Sequence, residues 1–169
     1  MSVVSKKICL LGDFCVGKTS LIRRFVDGQF SDQYLSTVGV KISRKVVLLP
    51  EGEHNVELLI WDIEGHTSFR NVARSYLQGA KAAIIVADVK RQDTILNVEK
   101  HLDLFFTVNP QGWILVAFNK SDLLNPSQLE TLLMQYPFEQ AQIVDTYITS
   151  AKTGEAVDEM FQCIAEKLA

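Results

Sequence analysis

The sequence predicts an α/β fold, a mostly parallel six-stranded sheet with one antiparallel edge strand and helices on both faces. Three observations predict it. Short apolar runs of strand composition alternate with segments of helical period along the chain. The inner runs, such as Ile84-Ile85-Val86-Ala87 and Ile114-Leu115-Val116-Ala117, are unbroken by polar residues, as in strands covered on both faces. Polar clusters stand directly after several strands, the end at which open α/β sheets bind ligands.

Lys6 to Leu11 is the first strand, followed by a glycine-containing loop and a helix at Leu21 to Val26. Gln29 to Gly39 is polar, serine-rich and without periodicity, which marks a loop. Lys41 to Leu49 and Val56 to Asp62 flank a turn at Pro50-Glu51-Gly52-Glu53 and so form an antiparallel hairpin. Ser68 to Leu77 has helical character, and Ala80 to Asp88 is a buried strand. Asp93 to Thr107 is one helix, with apolar residues at Ile95, Val98, Leu102, Phe105 and Phe106. Gly112 to Phe118 and Gln142 to Ile148 are the last strands. Pro126 to Met134 and Gly154 to Leu168 are the last helices.

A length of 169 residues fits a single domain spanning 1–169, large enough for a full core. Hydrophobic content of 47% and charged content of 22% are those of a soluble globular protein. A net charge of −3 gives no reason to expect a nucleic-acid partner. No apolar run is long enough to span a membrane, and no signal-peptide pattern opens the chain. Cys9, Cys15 and Cys163 have no metal-ligand spacing and leave one unpaired, which suits a reducing, cytoplasmic compartment.

The chain is organised around Gly12-Asp13-Phe14-Cys15-Val16-Gly17-Lys18-Thr19-Ser20, which fits G-x-x-x-x-G-K-[ST] between a strand and a helix. In that context the backbone N–H groups and the helix N-terminus converge on a polyanion. Lys18 reaches the outer phosphates as a point charge, and the Thr19 hydroxyl is a ligand for Mg²⁺. Asp62-Ile63-Glu64-Gly65-His66 sets a carboxylate and then a glycine at a strand end, which suits a site that senses phosphate and metal. Asn119-Lys120-Ser121-Asp122 and Ser150-Ala151-Lys152 follow two later strands.

With these motifs in this order the chain resembles the Ras superfamily of small GTPases, a branch of the P-loop NTPase fold. Asp62 to Gly65 matches D-x-x-G, Asn119 to Asp122 matches N-K-x-D, Ser150 to Lys152 matches S-A-K, and Thr37 matches the first switch threonine. Ser36-Thr37-Val38-Gly39-Val40, Trp61-Asp62 and Phe69-Arg70 look most like the Rab branch. The resemblance implies a nucleotide site built from Asp13, Phe14, Cys15, Val16, Gly17, Lys18, Thr19 and Ser20 at the phosphates. Asn119, Lys120, Asp122, Ser150, Ala151 and Lys152 would stand at the guanine. The Asp122 carboxylate can accept from guanine N1–H and the exocyclic amine, donors that adenine lacks in that arrangement. Phe30 either packs near the base or on the core. Tyr34 either closes over the phosphates or is an exposed loop tyrosine. Mg²⁺ would be held by Thr19, by Thr37 in the triphosphate state, and through water by Asp62. Thr37 and the Gly65 N–H would be held by the γ-phosphate and released after hydrolysis. The resemblance places His66, Lys18, Thr37 and Gly65 at the reacting phosphate.

Two residues depart from the family. Phe14 stands where a small residue is usual, and His66 stands where a water-orienting glutamine is usual. Both predict slow hydrolysis. Alternatively His66 orients the water beside a bulky gate, as in translation-factor GTPases, or it has no role. Cys15 is taken as a tolerated small residue. No C-a-a-X box or cysteine pair closes the sequence, so no lipid anchor is expected. Ile42, Trp61 and Tyr76 match positions that Rab-like proteins show to effectors, exchange factors and GTPase-activating factors; Trp61 is either an exposed anchor or half-buried. A monomer is expected. The competing functions are a GTP/GDP switch with slow hydrolysis, a GTP-binding scaffold, and a P-loop kinase or ATPase, which Asn119 to Asp122 disfavours.

Overall fold

The computed structural model describes residues 2–33, 39–50, 54–65 and 74–169. Its strands are β1 (Ser2–Gly12), β2 (Val40–Val47), β3 (His54–Ile63), β4 (Ala82–Asp88), β5 (Trp113–Asn119) and β6 (Ile143–Ile148). They form one sheet in the order β2-β3-β1-β4-β5-β6. β2 runs antiparallel to β3 at the edge, and every other neighbouring pair is parallel. This is the expected α/β architecture. The helices are α1 (Lys18–Asp27), α2 (Arg74–Leu77), α3 (Gln92–Leu96), α4 (Val98–Val108), α5 (Pro126–Gln135) and α6 (Val157–Leu168). None of the described helices is long and apolar enough to cross a membrane.

The period of two along a strand explains the unbroken apolar runs, because successive side chains serve opposite faces. Ile8 and Leu10 join Leu21, Ile22 and Phe25 of α1 and Met160, Phe161 and Ile164 of α6 in one core. Cys9 and Leu11 join Ile95 of α3 and Val98, Leu102 and Phe105 of α4 in the other. The Phe25 and Phe161 rings stack with centroids 4.0 Å apart.

The helix ends follow local chemistry. α5 opens on a capping box: Asn125 accepts from the Gln128 N–H, Gln128 accepts from the Asn125 N–H, and Pro126 sits at the first helical position. α6 opens instead on Ala156 at φ 56°, a left-handed conformation costing roughly 1–2 kcal/mol. Six buried residues on one face of α6 outweigh that cost, since each large one contributes about 1.5–3 kcal/mol.

Two elements differ most from those the sequence predicts. β1 starts at Ser2 rather than Lys6, because Ser2–Lys7 pairs only with β3 and lies largely exposed, so no apolar pattern is required there. Ser5 Oγ donates to Glu57 across that pair at 2.6 Å. The helix expected over Asp93 to Thr107 breaks into α3 and α4 at Asn97, whose side chain reaches out to Asp13. Of the helix expected over Ser68 to Leu77 only Arg74–Leu77 lies within the described residues.

Candidate functional site

Gly12 to Gly17 crosses from the end of β1 to the start of α1, beside the ends of β3, β4 and β5. Each carbonyl in this stretch accepts from a defined donor. Lys18 Nζ donates to Gly12 O at 3.0 Å and Asp13 O at 3.1 Å. Arg91 donates to Phe14 O at 2.8 Å, Lys120 Nζ to Cys15 O at 2.7 Å, and Asn119 Nδ2 to Val16 O at 2.9 Å. The Leu21 N–H closes the series on Gly17 O at 2.9 Å. Gly17 has φ 101°, and a Cβ there would lie 2.3 Å from Asn119 Nδ2, so only glycine lets β5 approach the loop this closely. Gly65, after β3, is pressed against the loop from the other side, where its Cβ would lie 2.7 Å from Asp13 O.

Two residues without a glycine's freedom sit in the left-handed region here, Cys15 at φ 63° and Lys120 at φ 66°. Such strain costs about 1–3 kcal/mol and persists where the surroundings fix it. At Lys120 the surroundings are an ion pair to Asp88 Oδ2 at 2.9 Å and the bond to Cys15 O.

A cavity of about 320 Å³ opens beside the loop, within the size range of small-ligand sites. Phe14, Cys15, Gly17, Lys18, Thr19, Ser20 and Gly65 line one end; Phe30, Asn119, Lys120, Asp122, Ala151 and Lys152 line the other. Lys18 is buried, and burial pushes its ammonium down to about 8 against the raising influence of Asp62, Asp13 and Cys15. Thr19 Oγ1 donates to Asp62 Oδ2 at 2.5 Å, joining a hydroxyl and a carboxylate beside the cavity. At the far end Ser150 Oγ donates to Asp122 Oδ1 at 2.7 Å, and Thr149 Oγ1 donates to Asn119 Oδ1 at 3.2 Å. Arg24 of α1 donates to Ala151 O at 2.8 Å and Lys152 O at 2.7 Å.

The side chains of Asp13 and Val16 turn away from the cavity. Val16 is fully buried in the α1–α6 core, and the Asp13 carboxylate binds Asn97 and His101. Only their backbone can face a ligand. Ser150 and Asp62 are supporting groups that do not line the cavity. Tyr34, Thr37 and His66 lie outside the described residues. Just beside those segments, the Gly39 N–H donates to Glu64 Oε2 at 2.9 Å and the Glu64 N–H donates to Gly39 O at 2.8 Å. Ile42 is exposed on β2 and pairs in register with Trp61, which is half-buried with Lys7 Nζ over its ring at 3.6 Å; Tyr76 is half-buried on α2. Arg24, Asp88, Arg91, Asn97, His101 and Thr149 all support the site, and the sequence reading assigned a role to none of them.

A strand, a glycine loop that presents its backbone, a helix N-terminus and a buried lysine define a P-loop nucleotide-binding protein. The Ras family model matches residues 7–169. The chain is 32% identical to the Ras-related protein Rab-31 of Homo sapiens, across 99% of this chain and 85% of that protein. It is also 32% identical to the GTP-binding protein ypt4 of Schizosaccharomyces pombe, across 96% of this chain and 70% of that protein. The chain belongs to the Ras family and is a Rab-like small GTPase.

Proposed function

We propose that residues 1–169 form one G domain that switches between GTP- and GDP-bound states and hydrolyses GTP slowly in the cytoplasm. The observation that carries this reading is the cross-bonding of the two ends of the cavity. Asn119 and Lys120, the first residues of the guanine motif, donate to the Val16 and Cys15 carbonyls of the phosphate loop. Base recognition and phosphate binding are therefore parts of one rigid object.

Lys18 supports a phosphate ligand chemically, because a buried ammonium held by neutral carbonyls gains from an adjacent polyanion. Carbonyls already paired leave the loop N–H dipoles to face that anion. Asp122, steadied by Ser150, accepts from guanine, and the half-buried Phe30 and the Lys120 stem flank the ring. The Thr19 hydroxyl and Asp62 carboxylate are hard oxygen donors in contact, a set that fits Mg²⁺. Bound there, Mg²⁺ would neutralise phosphate charge; Thr19 would hold it directly and Asp62 through water. Thr37 and Gly65 would complete the triphosphate state, with His66 as the water-orienting group. Partner proteins would read Ile42, Trp61 and Tyr76.

Slow turnover is supported by Phe14, an exposed ring on the cavity wall at the phosphate end. The same ring favours the second reading, a GTP-binding scaffold with negligible hydrolysis. Two measurements on purified protein test both. In a competition titration GDP displaces a fluorescent GDP and ATP does not; comparable ATP affinity overturns the guanine assignment. In a single-turnover assay a slow but measurable release of phosphate favours the switch, and none favours the scaffold.

A further inference from the structure

We propose that His101 and Asn97 are positioning residues for the phosphate loop, acting through the buried carboxylate of Asp13. The proposal rests on the nucleotide reading above and adds to it a clasp on the side of the loop facing α4. Asp13 is 1% exposed, and a carboxylate so buried is costly unless both oxygens are paired. Both are: His101 Nε2 lies 2.8 Å from Oδ1, and Asn97 Nδ2 donates to Oδ2 at 2.7 Å. An ionised carboxylate only accepts, so the imidazole presents an Nε2–H to it. Burial pushes the Asp13 carboxyl upward. The bonds from His101 and Asn97 and the positive charge of Lys18 outweigh that and hold it below its ordinary value.

The two donors stand on a firm base. Asn97 is the junction of α3 and α4, His101 is one turn further along, and residues four apart share a helix face. The next residues of α4, Val98, Leu102 and Phe105, are buried beneath the sheet. Asp13 therefore links two anchors. Its side chain is fixed to α4, and its carbonyl accepts from Lys18 Nζ. Without the clasp the peptide after Asp13 can rotate, which takes its oxygen off Lys18 and toward the phosphates. Bound nucleotide then meets a carbonyl dipole where it had an ordered ammonium.

The test is release of a fluorescent GDP from the full chain with Mg²⁺ present, alongside the thermal midpoint of each variant. His101→Phe keeps a ring and removes the donor; release should quicken about tenfold, the scale of one charge-assisted bond. His101→Gln restores a donor at the position of Nε2 and should return the rate to within about twofold of the parent. Asn97→Ala should quicken release about threefold and keeps the question answerable if His101→Phe does not fold. Release from His101→Phe at the parent rate overturns the clasp. So does equal quickening in Phe and Gln variants, which would trace the effect to packing. A parent that binds no GDP overturns the nucleotide reading itself, whereas a parent that binds beside an unaltered His101→Phe sinks the clasp alone.

Discussion

The two ends of the cavity are built on opposite plans. At the end proposed for the phosphates the loop turns its backbone to the cavity, and the side chains of Lys18, Arg91, Asn119 and Lys120 hold its carbonyls in place. At the end proposed for the base, Asp122 offers its side chain and Ser150 holds it, and only the neighbouring Ala151–Lys152 loop is held by its carbonyls, by Arg24. The difference teaches where sequence can drift. A loop that binds through its N–H groups, as proposed here, would tolerate Phe14 and Cys15, because recognition would not rest on those side chains. A base site that binds through one carboxylate, as proposed for Asp122, would not tolerate its loss.

The sharpest way to break the comparison is at its most side-chain-dependent point. Asp122→Asn replaces an acceptor pair with a group that is half donor, leaving guanine N1–H and the amine poorly matched. Two bonds to a charged acceptor at about 1.5–3 kcal/mol each predict GDP affinity at least about a hundredfold weaker, with preference moving toward xanthine. Competition titrations check this, and a variant that keeps the parent's guanine preference refutes the assignment of Asp122.

Lys18→Ala probes the buried ammonium proposed to meet the phosphates. Loss of a buried charge-assisted contact should weaken a non-hydrolysable GTP analogue about thirtyfold, roughly 2 kcal/mol. Parent-like binding by isothermal titration would mean the backbone alone suffices and the contrast is more extreme than drawn. Phe14→Gly with His66→Gln restores the usual family residues at the two departures. Single-turnover hydrolysis should rise about tenfold, or roughly 1.4 kcal/mol of barrier, while GTP affinity changes little. An unaltered rate would clear Phe14 as the obstacle. The smallest expected effect is at Cys15, where Cys15→Gly relieves a left-handed side-chain clash. Stability in urea should rise by about 0.5–1 kcal/mol and GDP affinity should stay within about twofold. A large loss of affinity would show that the thiol itself touches the ligand.

The sheet, its order of elements and the cavity-lining motifs were legible because each has a local signature: a period of two, a helical stripe, a glycine loop, an acid after a strand. The clasp and the straps have none. Asp13 and His101 are far apart in the chain, as are Arg24 and Ala151, and only the folded sheet brings them together. His101 read alone is an apolar-face histidine in a helix, and Arg24 is a cation in the last turn of another. The break at Asn97 was hidden for the same reason, since the apolar stripe runs through it unbroken and its partner lies on another element. The exposed start of β1 was invisible because a strand with one neighbour and two wet faces needs no pattern.

The stacked pair Phe25 and Phe161 bears on how the chain is made. Synthesis delivers β1 and α1 first, yet the flanking strands β3 and β4 follow much later and α6 comes last. Until residues 157–168 leave the ribosome, Leu21, Ile22 and Phe25 lack the α6 part of their core and pack on the strands alone. Closing so long a loop costs little more than closing one half its length, because the entropy grows only logarithmically. The delay is therefore one of delivery, not of search. A nascent chain stalled before α6 carries an apolar face for chaperones to hold, and one released beyond it can shut that face in a single step.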